Sequence, residues 1–390
     1  MNPGTALIIG AGLGGLTAAL ALQRSGWRVR VHEQAAVLGE VGAGISVSPG
    51  SGRGLARLGL GPALLAASLP LPDVAFAHYR SGALLAGQFD HGTPRDQGFA
   101  TARHIHRADL HRILLDAVQA TDANAVLTGQ RAQHVELQAR GALVHFADGS
   151  HAQADLLVAA DGTRSMVRRA CFDDTPPEYA GQMAYRCLVP AERAAPFMGA
   201  GNAVVSIGPR RIFHRYRIRH GTLVNVIGIA QSESWQQEGW NTPASSEEFA
   251  AAYSDFHADV LGLIHAAPAH SLIKWGLFVR PPLASWQRGH VALLGDAAHP
   301  ILPFLGLGAA LAIEDGIVLA RALDQASDVH SALAAYQASR VERVEQVRTQ
   351  TLRQGQVIQS QDPDRADLQS APAQDVNLFD YDPCTAPIVT

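Results

Sequence analysis

Three glycines, Gly10, Gly12 and Gly15, stand directly behind the apolar run Ala6–Ile9, and their spacing has a chemical reading. Gly10 permits a tight turn, Gly12 lets the backbone approach a bound group, and Gly15 lets the next helix pack close to the strand. Leu13 and Gly14 complete the turn. The helix expected over residues 16–25 offers free N–H groups and about half a positive charge to a pyrophosphate. A second strand, expected over 29–32, ends at Glu33, where a carboxylate can accept hydrogen bonds from both hydroxyls of an adenosine ribose, with Gln34 beside it. The order strand, glycine turn, helix, strand, acid reads as a dinucleotide-binding unit. The alternative is a glycine turn needed only for packing, and these residues do not choose between a flavin and a nicotinamide dinucleotide.

Two more acids follow apolar strands. One is Asp161-Gly162, after the run from Asp155 to Ala160 and before Arg164 and Arg168. The other is Gly295-Asp296, after His290–Leu294, continuing through His299, Pro303, Gly306, Leu307, Gly308 and Ala309 into a helix near Glu314 and Asp315. A helix N-terminus there suits the N1–C2=O edge of a reduced flavin, which carries negative charge. Each residue also has a plainer reading. Asp296 caps the helix, Asp161 and Arg164 shape a turn, and Arg107, just before a helix expected over 108–118, is a surface cation. His299 is read as structural.

Between these motifs lie alternating segments around Tyr185–Val189, Ala203–Ile207, Ile212–Ile218 and Leu223–Ile229, which read as an antiparallel sheet. Side chains alternate faces along a strand, so Ile212, His214, Tyr216 and Ile218 share one face. That face suits an apolar cavity that binds and deprotonates a phenol, and His214 and Tyr216 are the catalytic candidates. The plainer reading makes both ordinary half-buried strand residues. Phe213, Arg215, Arg217 and Arg219 share the other face, expected to be solvated or paired with acids. Arg186 and Arg215 are candidates to anchor a substrate carboxylate.

The elements that must position these residues form an α/β architecture. A Rossmann-type body is expected over residues 1–175 and 276–325, with part of 70–100 belonging to the sheet. An inserted, mostly antiparallel β-sheet substrate domain is expected over 176–275, with C-terminal helices and a tail over 326–390. The stretch 318–358, with Arg340, Glu342, Arg343 and Glu345, reads as a solvated helix along the body, and 359–374 as a loop. The chain of 390 residues is 47% hydrophobic and 17% charged, with a net charge of −4 from 31 basic and 35 acidic side chains. That balance lacks the basic excess of a nucleic-acid binder. Cys171, Cys187 and Cys384 fit neither a disulfide framework nor a zinc site, so no metal and a reducing, cytoplasmic setting are expected. The N-terminus lacks the basic and small-residue signals of a secretory leader. No clean run of about 20 apolar residues suggests a membrane span. A monomer or homodimer is expected.

Taken together, the glycine turn, Asp161-Gly162 and Gly295-Asp296, in this order, resemble the group A flavoprotein aromatic hydroxylases, the salicylate hydroxylase and 6-hydroxynicotinate 3-monooxygenase class. Gly42-Ala-Gly44-Ile, Arg107-Ala-Asp-Leu, Trp275–Pro282 and Leu378–Pro383 match as well, so the resemblance covers nearly the whole chain. It implies FAD held by the first and third motifs, with Glu33 on ribose and Arg107 on the ribityl or pyrophosphate region. It also implies Asp296 on a ribityl hydroxyl and Gly306–Ala309 along the flavin ring. No second glycine fingerprint follows a strand, so NADH or NADPH is implied as a co-substrate touching the FAD domain transiently, near Asp161. The implied reaction is hydroxylation of a small electron-rich aromatic or N-heteroaromatic by O₂ through a C4a-hydroperoxyflavin. Two departures bear on the substrate. Ser46 stands where some relatives have a histidine near the flavin, and Leu307 where glutamine or alanine is frequent. A flavin dehydrogenase or reductase without oxygen insertion is the rival enzyme, and a flavin-binding sensor the rival from another class.

Overall fold

The apolar strand Thr5–Ile9 is the centre of a six-stranded sheet in the computed structural model of the chain. All residues are described except 2, 40–42, 72–73, 86–97, 200–202, 236–240, 366–367, 369–375 and 390. Gly42, and residues 366–367 and 369–374 of the expected loop, therefore lie outside the described residues. The sheet runs in the order Gln287–Arg288, Val291–Leu293, Leu156–Ala159, Thr5–Ile9, Arg28–His32, Val126–Leu127. It is parallel except for the antiparallel pairing of Gln287–Arg288 with Val291–Leu293. Leu156–Ala159 and Val291–Leu293 are buried along their whole length, as strands covered on both faces must be.

This order has a consequence for the site. The strands at Thr5–Ile9, Leu156–Ala159 and Val291–Leu293 are adjacent and parallel, so the three acid-and-glycine turns leave from neighbouring carboxyl ends. Ligands of open α/β sheets bind along that edge. The helix after the first turn spans Leu13–Arg24, and the one after the third spans Gly308–Gln325. The two cross so closely at Gly316 that a Cβ there would lie 2.7 Å from the Ala18 nitrogen.

A seven-stranded sheet stands beside this body, in the order Thr242–Pro243, Ile273–Val279, Glu178–Pro190, Leu223–Gln231, Arg211–Ile218, Ala203–Gly208, Val74–His78. It is antiparallel except where Val74–His78 runs parallel to Ala203–Gly208. One face packs on helices Ser246–Ala252 and Ala258–Ala266 through Phe213, Phe249, Tyr253, Val260 and Leu263. The other carries Phe76, Ile212, Tyr216, Ile227, Ile229 and Trp275 and meets Leu302 from the third motif and Ile358 near the C-terminus. A small sheet, Gly44–Val47, Arg103–His106 and Ser68–Pro70, bridges the two large ones.

The C-terminal helix, Val329–Ile358, corrects one expectation. It is not a solvated charged helix over its whole surface, because Arg340 is fully buried and Arg343 nearly so. The side facing Gly308–Gln325 meets two acids. Arg340 donates from Nε to Asp315 at 2.7 Å and from Nη2 to Glu314 at 2.8 Å, while Arg343 reaches Glu314 at 3.4 Å. Both guanidinium groups lie 4.9 Å from the Tyr381 ring centre, which ties the tail into the cluster. Glu342 and Glu345 do face outward. No helix among the described residues is long and apolar enough to cross a membrane.

Candidate active site

At the first turn, Gly10 adopts φ +102°, and a Cβ there would lie 2.4 Å from the Ala160 carbonyl oxygen of the adjoining strand end. A Cβ on Gly15 would lie 2.0 Å from the Gly10 oxygen, so strand and helix touch backbone to backbone. Gly12 differs: a Cβ there meets nothing within 4 Å. It opens onto free space where a phosphate can approach. Gly12 is the N-cap, no side chain caps the helix, and the first intrahelical bond runs from Leu16 N–H to the Gly12 oxygen at 2.9 Å. The amides of Leu13, Gly14 and Gly15 precede that bond and form the anion-binding end. Glu33 spans the turn, accepting from the Ala11 and Ala35 amides, both at 2.9 Å, so its carboxylate is held in place. Gln34 is exposed. His111, buried and bonded through Nε2 to the Ala11 oxygen at 2.7 Å, props the turn from beneath. Nothing in its sequence setting distinguished it from any helix histidine.

The second turn locks onto the third. Asp161 accepts from Met166 N–H at 2.7 Å and Val167 N–H at 3.3 Å, capping the short helix Met166–Cys171, while its Oδ1 has no partner. Burial pushes its carboxyl up. Arg164 is exposed, its guanidinium 5.8 Å from the Phe278 ring centre. Arg168 is fully buried and donates to the Ala297 and Ala298 carbonyls at 3.2 and 3.1 Å, so the second motif holds the third in position.

At the third turn, Asp315 takes the Gly295 amide at 2.9 Å and His299 Nε2 at 2.6 Å in addition to Arg340. Burial alone raises its carboxyl. The His299 and Arg340 charges and these hydrogen bonds outweigh it and bring it to about 2. His299 is thus tied to Asp315. Asp296 does not cap the following helix, whose N-cap is Leu307. It sits half-buried in the turn Gly295–Ala297, raised by burial against the charges of His299 and Arg107. Arg107 opens the helix Arg107–Thr121, and is drawn down to about 10 by burial and by the neighbouring Arg186 charge, with Asp296 opposing. Pro303 begins the turn that Gly306 closes at φ +67°. Leu307 N-caps Gly308–Gln325 without a side-chain cap, and the first helical bond runs from Leu311 N–H to its oxygen. Gly308, Ala309 and Ala310 therefore present their amides at a second helix N-terminus. Ser46 is adjacent, its Oγ 3.8 Å from a Cβ built on Gly306.

The sheet face looks onto this corner. Tyr216 is held between Gly44, whose Cβ would lie 2.7 Å from its Cε2, and His104, whose ring centre is 3.9 Å away. His104, opposite Ser46 in the small sheet, is a second buried histidine that sequence reading passed over. His214 lies 4.8 Å from Tyr216 between ring centres, and its buried Nε2 has no partner. Burial and the Arg215 charge bring its imidazole down to about 4, and burial pushes the Tyr216 phenol up to about 12 despite Arg186. Both are neutral at pH 7. Arg186 pairs across to Ile227, as His214 does from the other side, so it shares their face. Asn225, opposite Tyr216, is fully buried and holds the Gly44 amide at 2.7 Å. Arg215 is a correction. It points to the opposite face, beneath the helices, and bonds the Met198 carbonyl and Ser206 at 3.4 Å. That face is not solvated, because Phe213 packs into an aromatic cluster there. Arg219 does pair with an acid, Asp109, at 2.6 and 2.8 Å.

Known proteins match this arrangement. The FAD binding domain family matches residues 4–351. This chain belongs to the FAD-dependent monooxygenases of that family. It is 36% identical to 3-amino-4-hydroxybenzoate 2-monooxygenase of Streptomyces platensis over 89% of this chain and 87% of that one. It is 35% identical to 6-hydroxynicotinate 3-monooxygenase of Pseudomonas fluorescens, over 87% and 88%. Among solved structures, Klebsiella pneumoniae HpxO complexed with FAD and uric acid aligns with a TM-score of 0.81 and 28% identity, covering 97% of this chain and 93% of that one. The open Gly12, the two bare helix N-termini and the fixed Glu33 fit the dinucleotide that this family binds.

Proposed function

We propose that this monooxygenase is a single-component hydroxylase. It consumes NADH or NADPH and inserts one atom of O₂ into a small electron-rich aromatic or N-heteroaromatic ring that bears a hydroxyl, with or without a carboxylate. The observation that carries this reading is the convergence of the sheet face with the third motif. His214, Tyr216 and Arg186 share one face, and Arg107 and Arg186 lie close enough to oppose each other's charge beside Asp296.

Glu33 would hold the adenosine ribose, the amides after Gly12 the pyrophosphate, and Asp296 and Arg107 the ribityl region. The amides of Gly308–Ala310 would meet the N1–C2=O edge of the ring, with Pro303, Gly306 and Leu307 lining it. Bound FAD supplies the reaction with O₂ and the oxygen to be transferred. The chain's own residues do the rest. Ile212, Ile227, Ile229 and Trp275 exclude water, which would otherwise release the activated oxygen as H₂O₂. A ring hydroxyl with its ordinary pKa near 10 is a poor electron donor at pH 7, so its proton must be drawn toward an acceptor. Neutral His214 Nε2 can accept a hydrogen bond from that hydroxyl and draw its proton outward without taking it, and the Tyr216 hydroxyl orients the ring. Ser46 is too weak a base for that task.

The test is to supply the FAD-loaded protein with NADH or NADPH, in air, across hydroxylated aromatic acids, phenols and N-heterocycles, with products weighed. Ring-dependent consumption with a gain of one oxygen supports the reading. Steady electron transfer to a dye with no oxygen gain in any ring would replace it with the dehydrogenase.

A further inference from the structure

Val341 and Leu352 are 39% and 43% exposed, and both stand on the helix Val329–Ile358. Among the described residues they are the only two exposed large apolar side chains that share one element. Eleven residues make about three helical turns, so the two lie on the same stripe of the surface. Ala334, Ala338, Glu345 and Arg348 complete that stripe, at alternating steps of four and three residues. Such spacing is the seam of a helix that packs lengthwise on a second helix. The inner face of this helix is already occupied, since Arg340 and Arg343 hold Asp315 and Glu314 there. Along the outer stripe runs an open groove of about 820 Å³, walled on its far side by Ser285 and Gln287. Apolar residues scattered singly over a surface need no partner, but two on one seam beside a groove form a face that lacks its mate.

The charges on the seam select the mate. A two-fold interface requires a patch that is complementary to itself. In an antiparallel pair with the axis between residues 346 and 347, Val341 faces Leu352 of the second copy and Glu345 faces its Arg348, each contact being made twice. Glu342 and Arg353, both exposed, then come within a turn of each other on the same flank. Moving the axis to residue 345 or to residue 348 sets Glu345 or Arg348 against its own copy, and a parallel pair in register does both. Like charges so placed oppose association. Within one chain Glu345 and Arg348 already pair at 2.7 Å. In the antiparallel arrangement the four charges of two copies close into a ring of alternating sign. We infer that this seam is the interface of a two-fold homodimer, in which the helices Val329–Ile358 of two copies pack antiparallel, centred between residues 346 and 347. The inference does not rest on the proposed reaction, because no residue of the seam lies on the face proposed for the substrate.

The test is sedimentation equilibrium of the full FAD-loaded chain over a concentration series. The parent is expected to form dimers with a dissociation constant in the micromolar range or tighter. Glu345→Arg sets like charges against each other twice and should weaken the dimer about 30-fold. Leu352→Glu removes the apolar contact made with Val341 and should weaken it as well. The double swap Glu345→Arg with Arg348→Glu restores the alternation of charge and should return the constant to within about threefold of the parent. All of these side chains are at least partly exposed, so FAD content and melting temperature should stay at the parent values. A parent that stays monomeric at ~100 µM leaves the seam to some other protein and overturns the inference. A dimer that neither single variant weakens overturns it too, and so does a double swap that is no tighter than Glu345→Arg alone.

Discussion

The polar groups behind the third turn and those on the sheet face are both buried, yet they are treated in opposite ways. Behind the turn, Asp315 gathers Gly295, His299 and Arg340, and Glu314 gathers Arg340 and Arg343, so that of these groups Arg340 Nη1 alone is left over. On the sheet face, His214 Nε2, Arg186 Nε and Asn225 Nδ2 are left without partners. An unmade buried hydrogen bond costs about 1–3 kcal/mol, so several together mark a place where water or another molecule completes them. The first region is a framework whose charges are spent on holding the turn that leads to Gly308–Gln325. The second is the face that we propose receives the substrate.

The largest effect should come from breaking the framework. Arg340→Met leaves Asp315 and Glu314 short of a buried countercharge and is expected to cost about 3–5 kcal/mol in urea unfolding, with loss of FAD. A loss below about 1 kcal/mol would mean the network is not saturated in the way described. On the sheet face, His214 carries a pH signature. Its folded pKa of about 4 lies below its ordinary 6.5, so the unfolded chain takes the proton first. Its neutral form costs no stability above pH 6.5, and stability is lost as pH falls from 6.5 toward 4. His32, His106 and His111, also lowered by burial, contribute in the same direction. Comparing parent with His214→Phe isolates one of the four. The variant should resist acid better by on the order of 3 kcal/mol at pH 4, while hydroxylation falls. Parallel acid-unfolding curves for the two proteins would contradict the burial of a neutral imidazole.

Tyr216→Phe keeps the ring against His104 and removes only the hydroxyl. It should lower kcat about 100-fold with FAD affinity and melting temperature unchanged. A fall in melting temperature without a fall in kcat would return Tyr216 to the structural class. The smallest effect separates two glycines of one motif. Gly12→Ala adds a methyl that meets no protein atom, so the apoprotein should keep its stability while FAD binds about tenfold more weakly. Gly15→Ala drives a methyl to 2.0 Å from the Gly10 oxygen and should destabilise the apoprotein itself.

Legibility from sequence followed the same division. The three turns could be read because backbone chemistry restricts their residue types. Gly10 needs positive φ, Gly12 needs open space, and acids must follow apolar strands, all within a few residues. The alternation along Arg211–Ile218 correctly grouped His214 with Tyr216. It did not reveal that helices Ser246–Ala252 and Ala258–Ala266 would cover the other face and bury Arg215, since that depends on packing between distant segments. Val74–His78 joins the second sheet from before the insertion, pairing parallel with Ala203–Gly208. Arg340 looked like a surface charge because its partners lie a helix away. His104 and His111 carried no local signal, and only their contacts with Tyr216 and Ala11 mark them.

In the proposed reaction one atom of oxygen enters a ring held between the sheet face and the Gly306–Ala309 turn. The most direct measurement supplies the FAD-loaded protein with ¹⁸O₂, a reduced nicotinamide and the hydroxylated ring that binds most tightly. The expected product carries a single ¹⁸O, formed one for one with the nicotinamide consumed and with little H₂O₂. Nicotinamide oxidised at the same rate without ¹⁸O in any ring, its electrons recovered as H₂O₂ or in an added acceptor, would contradict it.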